Sequence, residues 1–78
     1  MSGYPLSQIP SISGARAVKA FKKEGWKLDR HHGDHAIMVK EDTEAILTIP
    51  QHKELARPTL KAILMAAELS LDDFKAHL

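Results

Sequence analysis

Gly33-Asp34 interrupts a stretch of alternating side chains, and that interruption constrains the middle of this chain more than any other feature. Before it, Trp26, Leu28 and Arg30 alternate with Lys27, Asp29 and His31, the period of a β-strand. After it, His35 to Lys40 (HAIMVK) reads as a second strand. A two-residue loop with glycine where positive φ is needed predicts a tight hairpin. Glu41 to Glu44 is a polar turn, and Ala45 to Ile49 is a third strand stopped by Pro50.

The flanks follow the helical period instead. Ser13 is a suitable N-cap for a helix reaching about Glu24, with Gly25 as its stop. Ala17, Val18 and Phe21 form the inward stripe with Ala20 beside it, and Arg16, Lys19, Lys22 and Lys23 face outward. Pro58 suits the first position of a second helix, in which Leu60, Ile63, Leu64 and Ala67 fall at i, i+3, i+4 and i+7. Ser70-Leu71-Asp72-Asp73 caps a short last helix carrying Phe74. Residues 1–12, with Pro5 and Pro10, read as an extended lead-in, and residues 13–78 as a single domain. The expected class is α+β in the order α-β-β-β-α. A three-stranded antiparallel sheet carries its helices on one face and ends in a short C-terminal helical turn.

Composition narrows the functional classes. At 78 residues the chain supports one core. The absence of cysteine excludes a disulfide scaffold and any thiolate metal site. The longest apolar run, Ala62 to Ala67, is too short to span a bilayer, and no signal peptide is visible, so a cytoplasmic location is expected. Residues 1–40 carry a net charge of +4 and residues 41–78 a net charge of −3, within a total of +1. The basic half suits a polyanion, but the near-balance of the whole chain favours solvated helix faces.

Three of the five histidines lie in His31-His32-Gly33-Asp34-His35. A two-residue loop sets His32 opposite His35, Arg30 opposite Ile37 and Leu28 opposite Val39. Trp26, Leu28, Ile37 and Val39 then share the core face, with Arg30, His32 and His35 at its open end and His31, Ala36 and Met38 on the other side. An arginine beside two imidazoles suits a phosphate, because guanidinium supplies paired donors and imidazole carries a proton near neutral pH. The same histidines also read as ordinary polar surface near a turn. A zinc site built from His32, His35 and His52 is a third reading. No Ser-His-Asp order, glycine-rich phosphate loop or paired-carboxylate signature stands out.

Taken as an ordered set, these residues resemble the HicA family of small bacterial toxins, the messenger-RNA interferases of HicA–HicB toxin–antitoxin pairs. The matching residues begin at Ile12-Ser13-Gly14 and the first helix (AVKAFKKEGWKL). They continue through Arg30, Gly33-x-His35, Ile49-Pro50-x-His52, Thr59-Leu60-x-x-Ile63-Leu64 and Leu69-Ser70. The resemblance implies a double-stranded-RNA-binding-like fold, endoribonuclease activity on messenger RNA, and a HicB-like antitoxin that masks the active site. It maps the family's functional histidine onto His35. Three positions depart from the family's pattern: Asp34 replaces a serine, and Pro58 and Glu68 replace glycines. The Asp34 carboxylate puts negative charge where a phosphate approaches, which bears on the level of activity, and it can also orient the His35 ring.

The expected assignment is therefore His35 as general acid or base, without metal or cofactor. Arg30 and His32 would steady the scissile phosphate, Arg16, Lys19 and Lys23 would follow the RNA backbone, and His52 and Asp34 would be accessory. The rival assignments are a non-catalytic RNA-binding or antitoxin-binding module of the same fold, and a zinc-dependent hydrolase.

Overall fold

The structure, a computed structural model, describes residues 3–78; residues 1 and 2 of the lead-in lie outside the described residues. Helix α1 spans Gly14–Lys23, strands β1, β2 and β3 span Lys27–His32, His35–Lys40 and Thr43–Pro50, and helices α2 and α3 span Arg57–Ala67 and Leu71–Ala76. The strands form one antiparallel sheet in the order β1-β2-β3. The α-β-β-β-α order and the short terminal helix are those expected. The lead-in differs from its expected extended form: Leu6–Gln8 make one turn of 3-10 helix, and Ile9 and Ile12 are buried in the core.

Capping chemistry sets the helix ends. The Ser13 hydroxyl accepts from the Arg16 amide at 3.1 Å, and the Ser70 hydroxyl accepts from the Asp73 amide at 3.1 Å. Pro58 sits one position later than expected, at the second helical residue, and Ala56 occupies the N-cap without a side-chain bond. Both longer helices close with the same wrap of amides back onto the last turn. In α1 the Trp26 amide reaches the Phe21 carbonyl past Gly25 at φ 98°; in α2 the Leu69 amide reaches the Leu64 carbonyl past Glu68 at φ 54°. Glu68 thus holds a left-handed conformation that glycine adopts freely and other L-residues do not.

The core lies on the face of the sheet opposite to the one expected. Ala36, Met38, Leu47 and Ile49 are fully buried under Ala17, Phe21, Leu60 and Leu64. Ile37 is buried outside that cluster, Val39 is half-buried and Leu28 is exposed. The sequence of β2 explains the reversal. HAIMVK is apolar on both faces, so its alternation does not say which set is inward, and β-branched Ile37 and Val39 look more core-like than Ala36. Separately, a bulge at Asp29 shifts the register: Leu28 pairs with Met38, on the core side where it is nevertheless exposed, and Arg30 with Ile37, so Lys27 stands opposite Val39. Arg30, His32 and His35 consequently lie on the face turned away from the helices.

Helix α1 is seated on the chain just after β3. The Gly14 amide donates to the His52 carbonyl at 2.9 Å, and the Leu55 amide donates to the Ile12 carbonyl at 2.8 Å. A Cβ on Gly14 would stand 2.0 Å from the Pro50 carbonyl oxygen and 2.9 Å from the Gln51 Cα. Only glycine permits this approach. At the other end of α1, Phe21 packs on Phe74 with ring centroids 5.2 Å apart, and His77 Nε2 meets Glu24 Oε2 at 3.1 Å.

Two stability changes follow. Gly14→Ala destabilises the fold by about 2–3 kcal/mol, because backbone on both sides must move. Glu68→Gly stabilises it by about 0.5–1 kcal/mol, the left-handed strain relieved less the added freedom of the unfolded chain. Urea denaturation midpoints of both variants against wild type measure each effect.

Candidate active site

The β1–β2 turn and the end of β3 meet at one end of the sheet. Gly33 takes φ 63° at the first turn position while Asp34 keeps a negative φ, the pattern of a type II′ turn, and His32 pairs with His35 directly behind it. In a three-stranded meander the third strand must end beside the first turn. Here His35 lies opposite Pro50, and the Gln51 amide donates to the Asp34 carbonyl at 2.7 Å. The hairpin turn is thereby bonded to the same short segment that receives α1.

This junction brings together three ionisable side chains. Asp34 Oδ1 is 3.4 Å from His35 Nδ1, and Asp34 Oδ2 is 3.4 Å from His52 Nε2. At that length both contacts are longer than an ordinary hydrogen bond, and each is an ion pair only when its ring is protonated. The side chains are 65% (Asp34), 43% (His35) and 59% (His52) exposed, so a large polymer can reach all three. One carboxylate aligned with two imidazoles can hold both rings in place and balance the charge of one imidazolium.

The other expected site residues divide into two groups. His32 lies across the strands from His35 on the open face, and Arg30 is two register pairs further along, against Ile37 on the same face. The Arg30 guanidinium pairs with its neighbour Asp29, and among the described residues it donates no hydrogen bond to a histidine. His31 pairs with Ala36 and belongs to the other face. On α1, Arg16 follows the Gly14–His52 bond by two residues and is exposed, as is Lys19 one turn on. Lys23 sits about 10 Å further along the helix than Arg16. Its amine donates to the His77 carbonyl at 3.2 Å, which makes it a tie to the C-terminal end. The proposed zinc set does not assemble: among the described residues no group of three His, Asp or Glu side chains could hold a metal ion.

The pairing of His52 with Asp34 is the feature that sequence spacing alone does not specify. Its signal was the proline-stopped third strand, which delivers Pro50-x-His52 to the level of the first turn.

Charge is organised along the sheet. Glu41, Asp42 and Glu44 lie at the β2–β3 turn, the end away from the histidines. Of the lysines there, Lys27 Nζ is 3.6 Å from Glu41 Oε1 in an exposed pair, and Lys40 Nζ lies 5.9 Å from the centre of the Trp26 ring. An approaching polyanion is repelled there and meets exposed cations near the histidines.

A known family matches most of the chain. The model of the HicA toxin of bacterial toxin–antitoxin matches residues 14–69, from the first residue of α1 to the residue after the α2 cap. The matched span contains Arg30, Asp34, His35 and His52. No curated protein and no solved structure gives a significant match.

Proposed function

This chain belongs to the HicA toxin family and is the toxin of a toxin–antitoxin pair, and on that premise we propose that it is an endoribonuclease of messenger RNA. His35 is the general acid or base. The observation that carries the reading is the half-exposed His35 ring at a rigid hairpin turn, its Nδ1 already against a carboxylate and the open sheet face in front of it. Positioned proton transfer of this kind is worth typically 10²–10⁴-fold in rate.

Arg30 and His32 steady the phosphate. Arg30 must leave Asp29 to do so, and an exposed ion pair of this kind is worth about 1 kcal/mol or less, so a dianionic or polyanionic competitor displaces it readily. Arg16 and Lys19 follow the RNA backbone, and Lys23 contributes weakly because it is engaged at the C-terminal end. The partner is a HicB-like antitoxin that covers the histidine end of the sheet, and the site of action is the cytoplasm, where translated messages are. The protein works without a metal or cofactor.

Purified protein incubated with single-stranded RNA in EDTA tests this reading. Cleavage is expected in chelator, and His35→Ala should reduce it by about 10²–10⁴-fold while leaving the denaturation midpoint within experimental error. In the same samples, Arg16→Glu with Lys19→Glu should weaken RNA binding regardless of sequence. It should also shallow the salt dependence by roughly 0.7 per lost contact. A folded His35→Ala protein that cuts at the wild-type rate contradicts the assignment. Binding without any cleavage supports the non-catalytic module, and cleavage lost on chelation supports the zinc hydrolase.

A further inference from the structure

Asp34 is shared. Each of its carboxylate oxygens faces a different imidazole at the same 3.4 Å, and the two rings come from segments that meet only in the folded chain. We propose that His35 and His52 are the two halves of one acid–base pair, spaced by Asp34, which cleaves RNA through attack of its own 2′-hydroxyl. This rests on the ribonuclease reading above and adds to it a second proton carrier, a positioning residue and a product.

Cleavage of a phosphodiester by the neighbouring hydroxyl needs two proton transfers at opposite ends of phosphorus. His35 turns Nδ1 to Asp34, which leaves Nε2 for substrate; His52 turns Nε2 to Asp34, which leaves Nδ1. The neutral ring takes the proton of the 2′-hydroxyl as O2′ bonds to phosphorus. The protonated ring gives its proton to O5′ as the P–O5′ bond breaks. The products are a 2′,3′-cyclic phosphate and a 5′-hydroxyl, and neither water nor metal is consumed. The pair holds one proton before and after the step, so a single carboxylate balances it throughout.

The backbone supports this use of His52. Its carbonyl is fixed by the Gly14 amide and its neighbour Gln51 is fixed to Asp34, so the ring starts from an anchored position although its side chain is exposed. The charged groups on the surrounding elements are His32 and Arg30 with Asp29 on β1, Arg16 on α1, and Lys53 and Glu54 after His52. With both oxygens engaged by rings, Asp34 is a spacer for the pair. Its replacement by serine or asparagine should therefore slow cleavage, the reverse of what simple repulsion of phosphate would give.

The test uses the full chain as wild type, His35→Ala, His52→Ala and Asp34→Asn, in EDTA. Two substrates are compared: an RNA oligonucleotide, and the same oligonucleotide with sulfur in place of O5′ at the linkage the wild type cuts. A thiolate leaves without a proton. On ordinary RNA both histidine variants should fall by about 10²–10⁴-fold and Asp34→Asn by less, with wild-type products ending in 2′,3′-cyclic phosphate. The wild-type rate should be bell-shaped in pH, and each histidine variant should lose one limb. The sulfur substrate should restore one histidine variant and not the other, which identifies the acid. A His52→Ala protein that cuts ordinary RNA at the wild-type rate, beside an inactive His35→Ala, overturns the pair and leaves the ribonuclease reading standing. Loss in His52→Ala with neither variant restored by sulfur makes His52 structural and also overturns it. A wild type that cuts neither substrate removes the ribonuclease reading and the pair together.

Discussion

Gly14 lies against the Pro50 carbonyl with no room for a side chain, and the arrangement of the site depends on that approach. A helix start normally needs partners for its free amides; here one of them is the carbonyl of His52. The absence of a side chain lets α1 sit directly on the segment that leaves β3. From that seat Phe21 reaches Phe74, Ile12 receives the Leu55 amide, and Gln51 is left in position to bond Asp34. One glycine thus connects the first helix, the last strand and the first hairpin turn. In a chain with so small a core, a few such bonds between distant segments carry much of the positional accuracy.

The chemistry follows from that connection. A hairpin turn by itself offers a histidine beside an aspartate, an arrangement common on any protein surface. Bonding the turn to the chain after β3 adds a second imidazole to the other side of the same carboxylate. The sheet also separates charge along its length. Its far turn carries three carboxylates, Glu41, Asp42 and Glu44, against Lys27 and Lys40, whereas Arg16 and Lys53, close in the chain to the Gly14–His52 bond, are exposed. A toxin that meets a long polyanion gains from this arrangement, because repulsion at one end and attraction at the other orient the encounter before any specific contact forms.

Much of this was legible in the sequence, and the parts that were not have physical causes. Ser13, Gly25, Ser70 and the Gly33-Asp34 turn act locally, through hydrogen bonds to amides a few residues away, so their effect could be read from neighbours. The inward face of β2 could not, because both of its faces are apolar and the deciding partners are on α1 and α2. The bulge at Asp29 had no local marker such as glycine, and it moved Leu28 from the expected place opposite Val39 to one opposite Met38. Lys23 belongs to the basic stripe by spacing, yet tertiary structure gives it a carbonyl to hold at the other end of the chain. Glu68 shows the opposite case: the helix ends where a glycine would end it, and the fold imposes the left-handed conformation on a residue that resists it. The nearness of His52 followed from topology, whereas its contact with Asp34 did not.

The central claim is that His35 and His52 face one phosphate together. Titration of the protein with an uncleavable 2′-O-methyl RNA, followed by NMR of the histidine rings, tests it without relying on turnover. The account predicts that the ring signals of His35 and His52 shift together and saturate at the same RNA concentration, while those of His31 and His77 stay in place. Shifts of His35 without His52, or shifts centred on His31 and the helical face, would contradict it.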